Sequence, residues 1–263
     1  MSVIDKYNRR ASESLLCVGL DSSVGKMPER FQHDAQPQFA FNRWIIDQTH
    51  AYVSAYKPNI AFYEARGDLG LRELKLTMEY LQAEHPDILT ICDAKRADMD
   101  STSVGYVAEI FDWLGCDAVT LNPYLGRDAL QPFLSRVDKG CIILCRTSNP
   151  DAGELQDLLI EGKLLWQVVA EKVRDEWDTN GNCMLVVGAT HPEQLAQVRG
   201  IVGEMTLLVP GIGAQGGSVE AVVKAGVNAE GKGLIINASR SVIFAENPGD
   251  EARKLHEEIN RWR

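Results

Sequence analysis

The sequence lacks the features that would tie it to a metal, a membrane or a nucleic acid. Its six cysteines (Cys17, Cys92, Cys116, Cys141, Cys145 and Cys183) show no CxxC spacing and mostly fall inside apolar runs. They read as buried, reduced thiols rather than as a disulfide frame or a zinc site. The five histidines are scattered, with no HExxH or His/Cys spacing, which argues against a histidine-based metal site. No apolar run exceeds strand length, so no membrane span is expected. The first ten residues carry no hydrophobic signal core, and a cytoplasmic location is expected. There is no block of basic residues, and the net charge is −10. Nucleic acid and anionic membrane surfaces are therefore excluded as natural partners. A small anionic substrate stays open, because a few local lysines and arginines suffice to hold one. No fixed-period repeat, low-complexity stretch or Pro/Gly/Ser-rich linker divides the chain.

What the sequence does have is alternation. A length of 263 residues and an apolar content of 45% suit one α/β barrel with a large core. Short apolar runs recur at residues 15–20, 52–56, 88–92, 118–121, 141–145, 184–187, 206–209 and 233–237. Each is followed by a loop with glycine, proline or charge, and then by an amphipathic stretch. Helices are expected at 3–13, 39–52, 69–84, 101–113, 164–177 and 250–262, and another from an Asp128 cap to residue 137. Eight strands in strict alternation favour a closed (β/α)8 TIM barrel over an open doubly wound sheet. One barrel domain over residues 1–263, preceded by an N-terminal helix, is the expected organisation.

The strand at 88–92 ends in a burst of charge: Asp93, Lys95, Arg96, Asp98 and Asp100. Alternate strand residues share a face, so Asp93 and Lys95 point the same way, with Asp98 one short turn on. Charges at a buried strand end are costly unless paired. The stretch alone is either a structural ion-pair network or an active site.

In a (β/α)8 barrel every strand's C-terminal end faces one mouth. Asp21, Lys57, Asn59, Asp93, Lys95, Asp98, Asn122, Tyr124, Ser148, Asn149, Thr190, His191, Gln215, Ser239 and Arg240 then gather there. The loop from Pro210 to Gly217 is glycine-rich, which lets backbone N–H groups approach an anion, and Arg240 follows the eighth strand. That pairing suits a phosphate. Bland readings stand beside these. The glycine-rich segment is also a plausible turn, Asp21 a helix N-cap, and Thr147 or Ser148 a cap. Asn122-Pro-Tyr reads as a rigid turn whose Tyr124 closes the mouth. His191-Pro192 reads as a helix start, and Arg96 as a solvated partner of Asp98 or Asp100.

Taken in order, Val18-Gly-Leu-Asp-Ser22, Tyr56-Lys-Pro-Asn59, Asp93-Ala-Lys-Arg-Ala-Asp98, Asn122-Pro-Tyr-Leu-Gly126, Thr147-Ser-Asn-Pro150, Val209-Pro-Gly-Ile-Gly-Ala-Gln215 and Ala238-Ser-Arg240 span most of the chain. In these pieces it resembles the orotidine 5′-phosphate decarboxylases of the longer bacterial type. The resemblance implies loss of CO2 from orotidine 5′-phosphate to give uridine 5′-phosphate, without cofactor or metal. It implies Lys95 as the proton donor to C6, Asp93 beside the departing carboxylate, and Asp98 reaching across a homodimer interface into the partner's site. Lys57 would bridge Asp93 to the ribose, Asp21 would hold ribose hydroxyls, and Ser148 would contact the pyrimidine. Gln215 and Arg240 would hold the phosphate, with Pro210 and Ser239 as further substrate-binding positions in their loops. Thr102 would contact the neighbouring subunit's ligand, and Met99 would line an apolar pocket. Three positions depart from the family pattern: Ala97 and Asp100, both often glycine, and Met99, often isoleucine.

Three rival chemistries share parts of this pattern. A related barrel would use Asp93, Lys95 and Asp98 with Mg2+ on a keto-acid phosphate. A Schiff-base aldolase needs a neutral lysine, which two flanking aspartates oppose. A non-catalytic nucleotide sensor would bind without releasing CO2.

Overall fold

Aliphatic and β-branched runs, buried on both faces, build the centre of the molecule. The computed structural model describes residues 2–212 and 217–263. Eight parallel strands form the barrel: β1 (Leu16–Gly19), β2 (Ala55–Lys57), β3 (Leu89–Arg96), β4 (Ala118–Leu121), β5 (Gly140–Arg146), β6 (Cys183–Val187), β7 (Leu207–Pro210) and β8 (Leu234–Ala238). They close in sequence order, with β1 hydrogen-bonded to both β2 and β8. Most of their side chains are fully buried. Burying one such aliphatic side chain contributes about 1.5–3 kcal/mol, so the barrel wall is the main source of stability.

The helix Val3–Ala11 plugs the end of the barrel opposite the mouth. Ser2 and Asp5 form a reciprocal capping box at its start. The buried Tyr7 hydroxyl donates to the Leu234 carbonyl at 2.7 Å, and Lys6 pairs with Asp117 at 2.7 Å. These contacts tie the helix to the starts of β8 and β4.

Several expected boundaries move, for local reasons. β3 runs on to Arg96, through charges that read as a loop. Residues His50–Tyr52 form a 3-10 turn, and β2 starts only at Ala55. Asp128 is not a helix cap: the helix Arg127–Leu134 starts behind Gly126, whose φ of 87° no side-chain cap accompanies. Asp128 instead sits in the first turn, where a carboxylate favours the helix dipole. The helices near 101–113 and 164–177 both widen at their ends into π turns, Ala108–Trp113 and Val173–Trp177. The polar connection after β5 holds the short helix Gly153–Gln156 and a small antiparallel hairpin, Leu159–Ile160 with Lys163–Leu164. His191 does precede a helix, with Pro192 in its first turn.

Candidate active site

The strand ends converge on a cavity of about 470 Å3. Its floor is laid down by β2 and β3. Lys57, the last residue of β2, is buried, and its ammonium lies 3.0 Å from Asp93 Oδ2. Lys95 reaches the other oxygen, Oδ1, at 2.6 Å. Asp93 thus lies between two cations, with its Oδ1 also accepting from the Thr120 hydroxyl at 2.9 Å. Asn59 Nδ2 approaches Oδ2 at 3.5 Å, and Asn59 N donates to Asp21 Oδ1 at 3.1 Å. Asp21 therefore ties the loops after β1 and β2 together and is not a helix cap.

These charges belong to one electrostatic unit. Burial pushes the Asp93 carboxyl up, but Lys57 and Lys95 together outweigh burial and hold it below the usual carboxylate range. Burial pushes the Lys57 ammonium down, and the Asp93 and Asp21 carboxylates reverse this and hold it above the ordinary lysine value. Both groups are ionised at neutral pH. The Lys95 side chain is 47% exposed towards the cavity, whereas that of Lys57 is 4% exposed. Lys57 also lines the cavity, but Lys95 is the more open of the two ammonium groups to a ligand.

Lys95 owes its position to an irregularity in β3. Cys92 pairs with Val119 and Arg96 with Leu121, so β3 carries two more residues than β4 over this span. Such bulges re-aim side chains near functional sites. Lys95 takes φ 48° within the bulge, and its backbone N–H donates to Thr120 Oγ1 at 3.0 Å. Ala97 at φ 147° and Asp100 at φ 33° continue the unusual backbone. For residues with a Cβ such conformations cost roughly 1–3 kcal/mol each. Ala97 and Asp100 thus stand where glycine would fit most easily.

The far side of the cavity is polar and less charged. Ser148, Pro210, Ser239 and Arg240 all line it. Ser239 Oγ donates to the Gly19 carbonyl at 3.2 Å, and a Cβ on Gly19 would lie 2.7 Å from the Ser239 Cβ. Glycine at that position lets β1 and the turn after β8 close up. Arg240 is exposed and makes no ion pair among the described residues. Gly211, at φ 109°, and Gly217 bring the two ends of the glycine-rich loop together, with Gly217 N donating to Gly211 O at 3.3 Å. Gln215 lies outside the described residues.

Of the residues expected at the mouth, Asn59, Asp98, Asn122, Tyr124, Thr190 and His191 do not line this cavity, nor do Met99 and Thr102. Asp98 accepts from Met99 N at 2.7 Å and donates its own N–H to Ser103 Oγ at 2.9 Å. Thr102 is exposed, and Met99 is 68% exposed rather than set in an apolar pocket of its own chain. Tyr124 does not close the mouth either: it is 75% exposed and lies outside the cavity. Arg96 pairs with Glu64 and lies over the Tyr106 ring at 5.0 Å, rather than with Asp98 or Asp100. Conversely, Thr120, Gln156 and Asn237 line the cavity without having stood out in the sequence. Thr120 did leave a trace, as the lone polar residue in the run Ala-Val-Thr-Leu. Gln156, inside a polar connection, left none. Leu144, Val186, Leu208 and Ile212 supply an apolar wall.

A parallel (β/α)8 barrel with an ion-paired lysine array at its strand ends belongs to the class of barrel enzymes that work on small anionic substrates. Comparison with known proteins narrows this. Residues 14–255 match the orotidine 5′-phosphate decarboxylase / HUMPS family. The chain is 49% identical over 257 residues to an orotidine 5′-phosphate decarboxylase of Cellvibrio japonicus, covering 96% of this chain and 93% of that one. It is 46% identical over 260 residues to the namesake from Cupriavidus metallidurans, with coverage of 96% and 94%. The solved OMP decarboxylase of Leishmania donovani superposes with a TM-score of 0.90 at 40% identity, covering 99% of this chain and 98% of that one. The chain belongs to the orotidine 5′-phosphate decarboxylase / HUMPS family.

Proposed function

We propose that this chain decarboxylates orotidine 5′-phosphate to uridine 5′-phosphate, with Lys95 as the proton donor to C6. The observation that carries the reading is Asp93 held between Lys57 and Lys95 at 3.0 and 2.6 Å, in a cavity that Arg240 also lines. As the C6–carboxyl bond breaks, CO2 leaves and the electron pair stays on C6 in an orbital the ring delocalises poorly. A fixed ammonium stabilises that charge without reorganising. Lys95 then gives a proton to C6 and is left as an amine, which water reprotonates. Asp93, ionised and beside the leaving carboxylate, holds the Lys95 ammonium in place at 2.6 Å. Lys57 keeps Asp93 ionised. Asp21 suits the ribose, Ser148 the pyrimidine, and Arg240, Ser239, Pro210 and Gln215 the phosphate. The remote phosphate contacts supply binding energy that assembles the site.

A Mg2+-dependent reaction on a sugar phosphate fits less well. The carboxylates lining the described cavity are Asp21 and Asp93, and both Asp93 oxygens already face ammonium groups. The site reads as shared between two copies of the chain, with Asp98, Met99 and Thr102 serving the partner's ligand. Their position outside the chain's own cavity supports this, as do the exposed apolar side chains Met99, Val104, Tyr124 and Leu125. A cytoplasmic setting accords with six free, buried thiols. Loss of orotidine 5′-phosphate absorbance that persists in EDTA tests the reaction. Turnover that stops in EDTA and returns with Mg2+ would refute it.

A further inference from the structure

The loop that presents Ser148 is held by a side chain from a different element. β5 ends at Arg146, which is buried and fully engaged. Its guanidinium donates to Gln194 Oε1 at 2.9 Å, to the Thr147 carbonyl at 3.1 Å and to Gln156 Oε1 at 3.2 Å, and it pairs with Asp157 at 3.4 Å. Gln156 Oε1 also accepts from Thr147 N at 2.9 Å, and Gln156 Nε2 donates to Thr147 Oγ1 at 2.8 Å. The Thr147 hydroxyl in turn donates to Asn149 Oδ1 at 2.6 Å. One amide thereby fixes the backbone on one side of Ser148 and, through Thr147, the side chain on the other. From behind, a Cβ on Gly188 would sit 2.7 Å from Ser148 Cβ, so the loop is backed closely by the end of β6. Gln156 itself borders the cavity and is only half-buried, so its polar end serves the loop rather than the core.

We propose that Gln156 is a positioning residue for the reaction: its amide, oriented by Arg146, sets residues 147–149 so that Ser148 meets the substrate. The proposal rests on the reading of Ser148 as a substrate contact. A glutamine amide suits the task because it accepts from a backbone N–H and a guanidinium while donating to a hydroxyl. Leucine in its place leaves the Thr147 N–H unpaired and takes one of its acceptors from Arg146, and the loop relaxes. Misplacing a binding group by an ångström costs up to about 100-fold in rate.

The test uses the full chain and has two arms. Steady-state kinetics with orotidine 5′-phosphate compare wild type, Gln156→Leu, Ser148→Ala and the double variant. Gln156→Leu should lower kcat/KM about tenfold or more, with the same split between kcat and KM as Ser148→Ala. The double variant should be no worse than the weaker single one, because both act through one contact. Hydrogen exchange over residues 146–150 is the second arm. Exchange should be faster in Gln156→Leu and unchanged in Ser148→Ala. Should Gln156→Leu not fold, Gln156→Glu carries the test, with the same directions at smaller size, since it keeps the acceptor and loses the donor. Kinetics within twofold of wild type, losses that multiply in the double variant, or unaltered exchange overturn the role of Gln156. A wild-type chain that leaves orotidine 5′-phosphate intact overturns the proposed reaction instead, and the exchange arm still decides Gln156.

Discussion

Asp93 is an acceptor for two lysines and a threonine at once, and its energetics follow from that crowding. Its folded-state acidity lies below the usual carboxylate range. The unfolded carboxyl titrates near pH 3.9, so this stabilisation is present above about pH 4 and is lost as pH falls further through the folded value. Lys57 behaves oppositely: its ammonium is held above the ordinary lysine value, so its contribution is full below about pH 10.4 and fades above it. Neutral pH falls inside both windows. Replacing Asp93 by Asn leaves Lys57 buried without its carboxylate, and a loss of about 3–5 kcal/mol in urea unfolding at pH 7 is expected. The gap to wild type should narrow on acidification below about pH 4, and a gap that widens there would contradict the ion-pair account. Arg240→Ala should act on KM more than on kcat in steady-state kinetics, as Arg240 follows β8, three strands round the barrel from the β3 that carries Lys95. Much of this residue-level chemistry was legible in the sequence, because Lys57, Asp93 and Lys95 each stand at the end of an apolar run. Gln156 was not legible, because its role depends on Arg146 and Thr147, ten and nine positions away across a turn.

At the scale of the element, β3 departs most from expectation. An eight-residue strand with a bulge replaces a short strand and a charged loop. The bulge was invisible in the sequence because it is defined against β4: the alternation of β3 alone carries no record of its partner's register. The bulge puts Lys95 at positive φ, and the segment that follows it adds Ala97 and Asp100. Ala97→Gly removes strain of roughly 1–3 kcal/mol while adding roughly 0.4–1 kcal/mol of unfolded-state freedom. A net gain of about 1 kcal/mol in urea midpoint stability is expected, and a loss of that size would show that the Ala97 methyl matters more than its backbone. The helices were legible as amphipathic stretches, but their π turns at Ala108–Trp113 and Val173–Trp177 were not. Each π turn falls at the end of its helix, where few later positions remain to show the one-residue slip in the apolar pattern.

At the scale of the whole molecule, the barrel accords with eight apolar runs in strict alternation, since closure gives every strand two hydrogen-bonded neighbours and leaves no edge. We take residues 1–263 to unfold as one unit, because the helix Val3–Ala11 is tied to the starts of β4 and β8. A single thermal transition at fixed concentration is expected by calorimetry. What lay beyond the sequence is how far one chain suffices. Asp98, Met99 and Thr102 stand outside their own cavity, and a second copy is proposed to bring their counterparts in. Met99→Asp should weaken association measurably in sedimentation equilibrium and lower activity in proportion to the dimer lost. A fully active monomer would contradict the shared site.

The central claim is that Lys95 donates the proton while the rest of the site binds the nucleotide. Its most direct test is the rate of orotidine 5′-phosphate loss in EDTA by Lys95→Ala beside wild type, with uridine 5′-phosphate affinity measured on the same samples. The account predicts a fall in turnover on the order of 10⁴-fold or more, with nucleotide binding retained. Near-normal turnover by Lys95→Ala would contradict it.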